Sequence, residues 1–248
     1  PQPTPTLGIG STMVSEKDDM VMVYVPAGEF TMGSENGIER PVHKVDLDSY
    51  WIDQTEVTNA MYAKCVTESV CTLPSTKESR TRISYYDNSE FDDYPVIFVN
   101  WNQAITYCAW AGRELPTEAQ WEKTARGTDA RTYPWGEGIG CEKANYSGCV
   151  GDTTKVGGYL EGASPYGALD MTGNVLEWVS SLYKDYPYVA NDGRENLNYS
   201  GLRILRGDSF LPSDNFGYIY FVRSAYRFIN DPVDSNDHVG FRCALLQP

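Results

Sequence analysis

The chain has 248 residues, with 20 Lys and Arg against 34 Asp and Glu, so its formal charge is −14. A net field of that sign repels phosphate polymers and argues against a nucleic-acid partner, and a total of two histidines, His43 and His238, excludes a multi-histidine zinc centre. Hydrophobic residues at 41% and charged residues at 22% are globular proportions, and no apolar run approaches the ~20 residues of a membrane-spanning helix.

Residues 1–19 are rich in Pro, Thr and Ser. PQPTPT has the extended, solvated character of a flexible linker, so the folded domain is expected over 20–248. A tether to an upstream domain and a plain chain end both fit that tail. From Met20, MVMVYVPAGEFTMGS is β-rich and broken by Pro26 and Gly28, which reads as a hairpin. HKVDLDSYWID alternates apolar and polar residues and reads as a further strand. A helix follows Thr55 in EVTNAMYAKCV, and residues 72–94 form a polar surface loop. PVIFVNW reads as a strand or extended run into a helix, NQAITYCAWAG, that stops at Gly112. In LPTEAQWEKTARG, Thr117 with Gln120 three residues on is a capping-box signature, and Gly127 closes the helix. Glu114, Glu118 and Glu122 recur every four residues and are expected to form a solvated face. Beyond residue 127 the chain is crowded with Gly, Asn, Tyr, Ser and Pro, which predicts long loops and short strands. One α+β domain is the economical arrangement.

The cysteines number six: Cys65, Cys71, Cys108, Cys141, Cys149 and Cys243. No pair has C-x-x-C spacing, so zinc ribbons and thioredoxin-like chemistry fit badly. Three disulfides outside the cytoplasm and free buried thiols are both open, and spacing does not choose among the pairings.

Seven segments in order resemble the formylglycine-generating enzyme, or sulfatase-modifying factor, family: VPAGEFTMGS, DQTEVTNAMYAKC, CAWAGRELPTEAQWEKTARG, YPWGEG, SPYGALDMTGNVLEWV, ILRGDSF and GFRCA. The resemblance implies a C-type lectin-like fold of that family's variety, low in regular secondary structure. It also implies a Cys108–Cys243 bond, which leaves Cys65–Cys71 and Cys141–Cys149 as local clips. The family's enzymes oxidise a substrate cysteine with oxygen and copper, using two cysteines placed after an RGGS-like motif. Here that stretch reads RGDSFLPSDNFGYIYFVRSAYR and holds no cysteine. Soft thiolates are what copper(I) selects, so no copper is expected and the chain is expected not to be an enzyme.

The resemblance further implies structural calcium, which takes hard oxygens. One site carries over to the Asp170 side chain, the Gly173 and Val175 carbonyls and the Glu177 side chain. A second carries over to Asn145 and the Tyr146 carbonyl, with Asp152 as a stand-in for its missing carboxylate.

Residues 208–239 mix Tyr, Phe, Asn, Asp and Ser, a composition like that of a paratope. The expected ligand-binding residues are Phe210, Leu211, Ser213, Asp214, Asn215, Phe216, Tyr218 and Tyr220, followed by Tyr226, Phe228, Asn230, Asp231, Asp234, Asp237 and His238. Among them Phe210, Tyr218, Tyr220 and Tyr226 are expected to be exposed, and Val222, Ala225 and Val239 to be core. Lys, Glu, Gln, Met and Trp supply 41 of the 248 residues yet are absent from Asn196 through Leu246. Codons ending in a pyrimidine cannot encode those five, and diversity-generating retroelements yield only the other fifteen. Their variable proteins resemble this chain. The favoured expectation is a non-catalytic, extracellular or cell-surface domain that meets a protein or glycan at this face, with a tethered upstream domain. The alternatives are a formylglycine-generating oxidase, and a structural subunit or sensor of a kinase-type receptor.

Overall fold

The computed structural model describes residues 7–212 and 221–246. In chain order the strands and α-helices are β1 (Thr12–Val14), β2 (Val21–Val25), β3 (Gly28–Met32), β4 (His43–Leu47), β5 (Tyr50–Asp53), α1 (Asn59–Thr67), α2 (Trp101–Trp110), α3 (Glu118–Arg126), β6 (Leu176–Leu182), β7 (Arg203–Arg206), β8 (Phe228–Asn230), β9 (Val239–Phe241) and β10 (Ala244–Leu246). One sheet has the order β1-β2-β5-β10, a second pairs β3 with β4, and a third runs β8-β7-β6-β9. Among the described strands only β6 and β9 pair in parallel. This is an α+β fold with long connections, as expected.

The helices begin and end where local chemistry places them. The hydroxyl of Thr117 accepts from Gln120 N, and the Gln120 side chain returns to Thr117 N, completing the predicted capping box. Asn100 and Gln103 make a second, unforeseen box at the start of α2. Thr58 caps α1.

Several strand expectations change. β2 and β3 are not a hairpin: β2 lies between β1 and β5, whereas β3 pairs with β4. Pro26 offers no N–H, and Gly28 at φ +124° turns the chain into another sheet. HKVDLDSYWID likewise splits at Asp48–Ser49 into β4 and β5, which belong to different sheets. Of the two forms expected for PVIFVNW, a strand or an extended run, the extended run is found. It keeps one isolated bridge, Thr58 to Pro95, and Phe98 stands at φ +57°. The boundary expected at residue 20 moves back, because Thr12–Val14 pairs with β2 and Asp18 is buried.

The main core gathers Trp51, Tyr62, Trp101, Tyr107, Trp178 and Phe241 between the sheets and helices α1 and α2. Cys108–Cys243 crosses it, with Cys65–Cys71 and Cys141–Cys149 as local bridges, so all three expected pairings form. β10 closes the fold by pairing with β5, and the Glu114 and Ala244 backbones exchange hydrogen bonds.

Candidate functional site

The C-terminal segment rests on a buried ionic frame. Glu118 and Glu122 on α3 are not solvated, as their spacing suggested, but wholly buried; Glu114 alone of the three is exposed. Glu118 Oε1 accepts from Arg227 Nε at 2.6 Å and Arg206 Nη1 at 3.2 Å. Glu122 accepts from Arg206 Nη2 at 2.7 Å, and from Arg126 Nη1 and Gly33 N at 2.8 Å each. Burial would raise the Glu122 carboxyl, but Arg206 and Arg126 overcome this and hold it below the usual range. The partners lie far along the chain, so a local reading of the helix could not find them. Arg223 forks onto buried Glu39 at 2.6 and 2.7 Å, and the Arg227 guanidinium stacks on Tyr186 at 3.9 Å.

From β7 the chain passes over Trp121 at Gly207, where a Cβ would come within 3.1 Å of the indole at φ +100°. Asp208 follows at φ +60°, only 8% exposed; burial pushes its carboxyl up to about 7, opposed by the Ser209 N–H. Phe210, expected at the surface, is fully buried, and its N–H donates to the Asn174 carbonyl. It belongs to the support of the face. Leu211 is half-buried. Ser213, Asp214, Asn215, Phe216, Tyr218 and Tyr220 lie outside the described residues.

Beyond them, three half-buried aromatics converge. Tyr226 lies 4.6 Å from Phe228 and 4.9 Å from Phe221 between ring centroids, and Phe221 lies 6.0 Å from Phe228. Phe221 was not singled out in the sequence; its place beside the pair is the signal. Val222, Ala225 and Val239 are core, as expected. The remaining candidates form a separate, anchored loop. Asn230 Oδ1 accepts from Asp231 N, Asp234 N donates to the Asp231 carbonyl, and Asp237 pairs with His238 at 2.7 Å. Ser235 Oγ meets Ser75 Oγ at 2.8 Å beside an uncharged cleft of 460 Å³ whose walls include Leu73, Asn100, Gln103 and Val233. His43 is spoken for: Nδ1 donates to the Pro41 carbonyl and Nε2 accepts from Tyr188 N.

The implied calcium ligands fit only in part. Both Glu177 oxygens are engaged, Oε1 by Arg242 Nη2 and Oε2 by Arg242 Nε and Trp121 Nε1, each at 2.7 Å. Glu177 is therefore half of a buried ion pair with Arg242. Asp170, at φ +55°, accepts from Gly157 N at 2.6 Å and stands beside fully buried Glu56. At the second position, the Asn145 Oδ1 atom is buried without a partner, and the Tyr146 carbonyl accepts from Cys149 N. Asp152 is taken by Ser79, Thr81, Arg82 and Thr153. Among the described residues no group of three or more His, Cys, Asp or Glu side chains could hold a metal.

All six cysteines are in disulfides, so the chain carries no thiol. No described helix is long and apolar enough to cross a membrane.

The family model described as "Sulfatase-modifying factor enzyme 1-like domain" matches residues 11–246. A serine/threonine-protein kinase pkn1 of Chlamydia pneumoniae is 35% identical over 90% of this chain, which spans 37% of that relative's length. The formylglycine-generating enzyme of Bos taurus is 30% identical over 90% of this chain and 74% of its own. The inactive C-alpha-formylglycine-generating enzyme 2 of Bos taurus is 29% identical over 90% and 87%. Among solved structures, PvdO from Pseudomonas aeruginosa superposes with a TM-score of 0.80 at 26% identity, covering 98% of this chain and 100% of its own. Treponema denticola variable protein 1 superposes with a TM-score of 0.71 at 21% identity, over 95% and 98%.

Proposed function

The chain belongs to the sulfatase-modifying factor enzyme 1-like domain family, and from that premise we propose that it is a non-catalytic, extracytoplasmic ligand-binding domain. The observation that carries this reading is the Phe221–Tyr226–Phe228 cluster, left half-exposed on a frame of buried Arg–Glu pairs. Rigid aromatic area flanked by Asn, Asp and Ser is what a paratope uses. The family's oxidative chemistry needs a cysteine pair after the RGGS-like motif, and between Cys149 and Cys243 this sequence has no cysteine. Three disulfides support a home in an oxidising compartment.

The ligand is a protein or glycan surface. The missing Lys, Glu, Gln, Met and Trp between Asn196 and Leu246 support a face diversified by a retroelement. Sequencing this gene across its source population tests that point. Variants clustered within 208–238 are the expected result; a segment as uniform as the rest of the gene overturns diversification. Incubation with copper and a cysteine-bearing sulfatase peptide tests the absence of catalysis, and aldehyde formation would overturn it. The similarity to a kinase-named relative, of which this chain spans about a third, favours one second reading: the sensor domain of a larger receptor.

A further inference from the structure

A cleft separate from that beside Ser235 opens where α2, the start of α3 and the connection from β6 to β7 meet. Its volume is about 390 Å³, room for a small organic molecule. Ile105 and Ala109 of α2, with Leu115 and Leu197, give it apolar walls. Glu195 is the charged group set among them. Its carboxylate is half-buried and held by three hydroxyls, those of Ser180 at 2.8 Å, Ser181 at 2.5 Å and Tyr188 at 2.8 Å. Oε1 accepts two of these and Oε2 one, which leaves Oε2 with capacity for a further donor. The hydroxyls fix the carboxylate but bring no charge. Burial pushes the carboxyl up in spite of them, and a cation beside it would reverse that. The bordering cations are committed elsewhere. Arg113 pairs with Asp18 and Asp53. Arg203 stacks on Trp101 at 4.0 Å and donates its Nη groups to the carbonyls of Ser180, Asn196, Leu197 and Tyr199. Exposed Glu114 adds a second negative charge to the lining. Among the described residues no Lys, Arg or His forms a salt bridge with Glu114 or Glu195.

We propose that this cleft binds a small organic amine as its ammonium cation, with the apolar body against Ile105, Leu115 and Leu197 and an ammonium N–H on Glu195 Oε2. A carboxylate framed by apolar walls selects for that pairing. A neutral alcohol leaves the charge unanswered, and an acidic ligand meets two like charges. None of the described residues of 208–238 lines the cleft, so the inference stands whether or not that segment forms a binding face.

The test titrates the full chain with phenethylamine by calorimetry, with 2-phenylethanol and phenylacetate as neutral and anionic matches of similar shape. The amine is expected to bind, and the other two to bind about tenfold more weakly or worse. Glu195→Gln keeps the size and removes the charge, and is expected to weaken the amine about tenfold or more. Glu195 also ties its loop to β6, so a second variant guards against misfolding. Leu197 is 47% exposed, and Leu197→Arg brings a guanidinium to the cleft from within the chain. That variant is expected to lose amine binding while melting within a few degrees of wild type. No binding of phenethylamine at millimolar concentration overturns the proposal. So does 2-phenylethanol binding as tightly as the amine, which would make the cleft an apolar one alone, and so does full amine affinity in Leu197→Arg. Unchanged affinity in folded Glu195→Gln overturns the role of Glu195.

Discussion

Glu118 and Arg227 stand 109 residues apart in the chain and are joined by two hydrogen bonds, Nε to Oε1 at 2.6 Å and Nη2 to Oε2 at 2.9 Å, with both side chains fully buried. Arg227 sits between Tyr226 and Phe228, so the pair bolts the half-buried aromatics to α3. Removing one partner strands a buried charge. Arg227→Met is expected to cost about 3–5 kcal/mol, read by urea denaturation. Glu118→Leu combined with Arg227→Met should recover part of that loss; additive losses would show that the two groups act independently.

Phe210 and Tyr226 distinguish support from face. Phe210 is fully buried and Tyr226 half-exposed. Phe210→Ala is expected to destabilise by about 3–5 kcal/mol, and Tyr226→Ser by about 1 kcal/mol or less. Equal losses in thermal unfolding would place Tyr226 in the core and remove it from the proposed binding face.

Asp208 gives a pH signature. Its folded carboxyl titrates at about 7 because it is buried, against about 3.9 in the unfolded chain. The folded state thus holds the extra proton, and the associated stability is complete below about pH 4 and lost as pH rises through 7. Asp208→Asn should match wild type near pH 4 and exceed it by about 2–4 kcal/mol at pH 8. Parallel stability–pH curves for the two proteins would count against a buried, protonated Asp208.

The disulfides should differ in weight. Cys108–Cys243 closes a separation of 135 residues, Cys65–Cys71 one of 6. On the chain-entropy model these are worth about 5 and about 2 kcal/mol. Replacing Cys108 and Cys243 together by Ala should therefore lower the denaturation midpoint much further than replacing Cys65 and Cys71. The reverse order would mean that the short clip secures something beyond its own loop.

Legibility in the sequence followed the range of the interaction. The Thr117–Gln120 box and the stop at Gly127 depend on neighbours within a few residues, and both appear as read. The three disulfides followed from the resemblance, since spacing left the pairings open. The Glu118 and Glu122 stripe was misread because a helix with glutamates every fourth residue normally faces water; arginines at 206 and 227 reverse that, and no periodicity announces them. Nor does the motif around Glu177 announce its partner, Arg242, which comes from the far end of the chain. The strand errors have one cause. Pro26, Gly28 and the Asp48–Ser49 break transfer the chain between sheets, whereas alternation along a strand does not say which sheet it joins.

The closing strands carry a consequence for how the gene tolerates change. Phe241, Arg242, Cys243 and β10 come after the 208–238 segment and complete the core, the Glu177 pair, the long disulfide and the first sheet. A frameshift or stop codon within that segment deletes all four at once, whereas an in-frame substitution at an exposed position deletes none. The fold thus acts as a proofreader of reading frame. Only chains translated in frame through 208–238 and on through β10 can close the core and the first sheet.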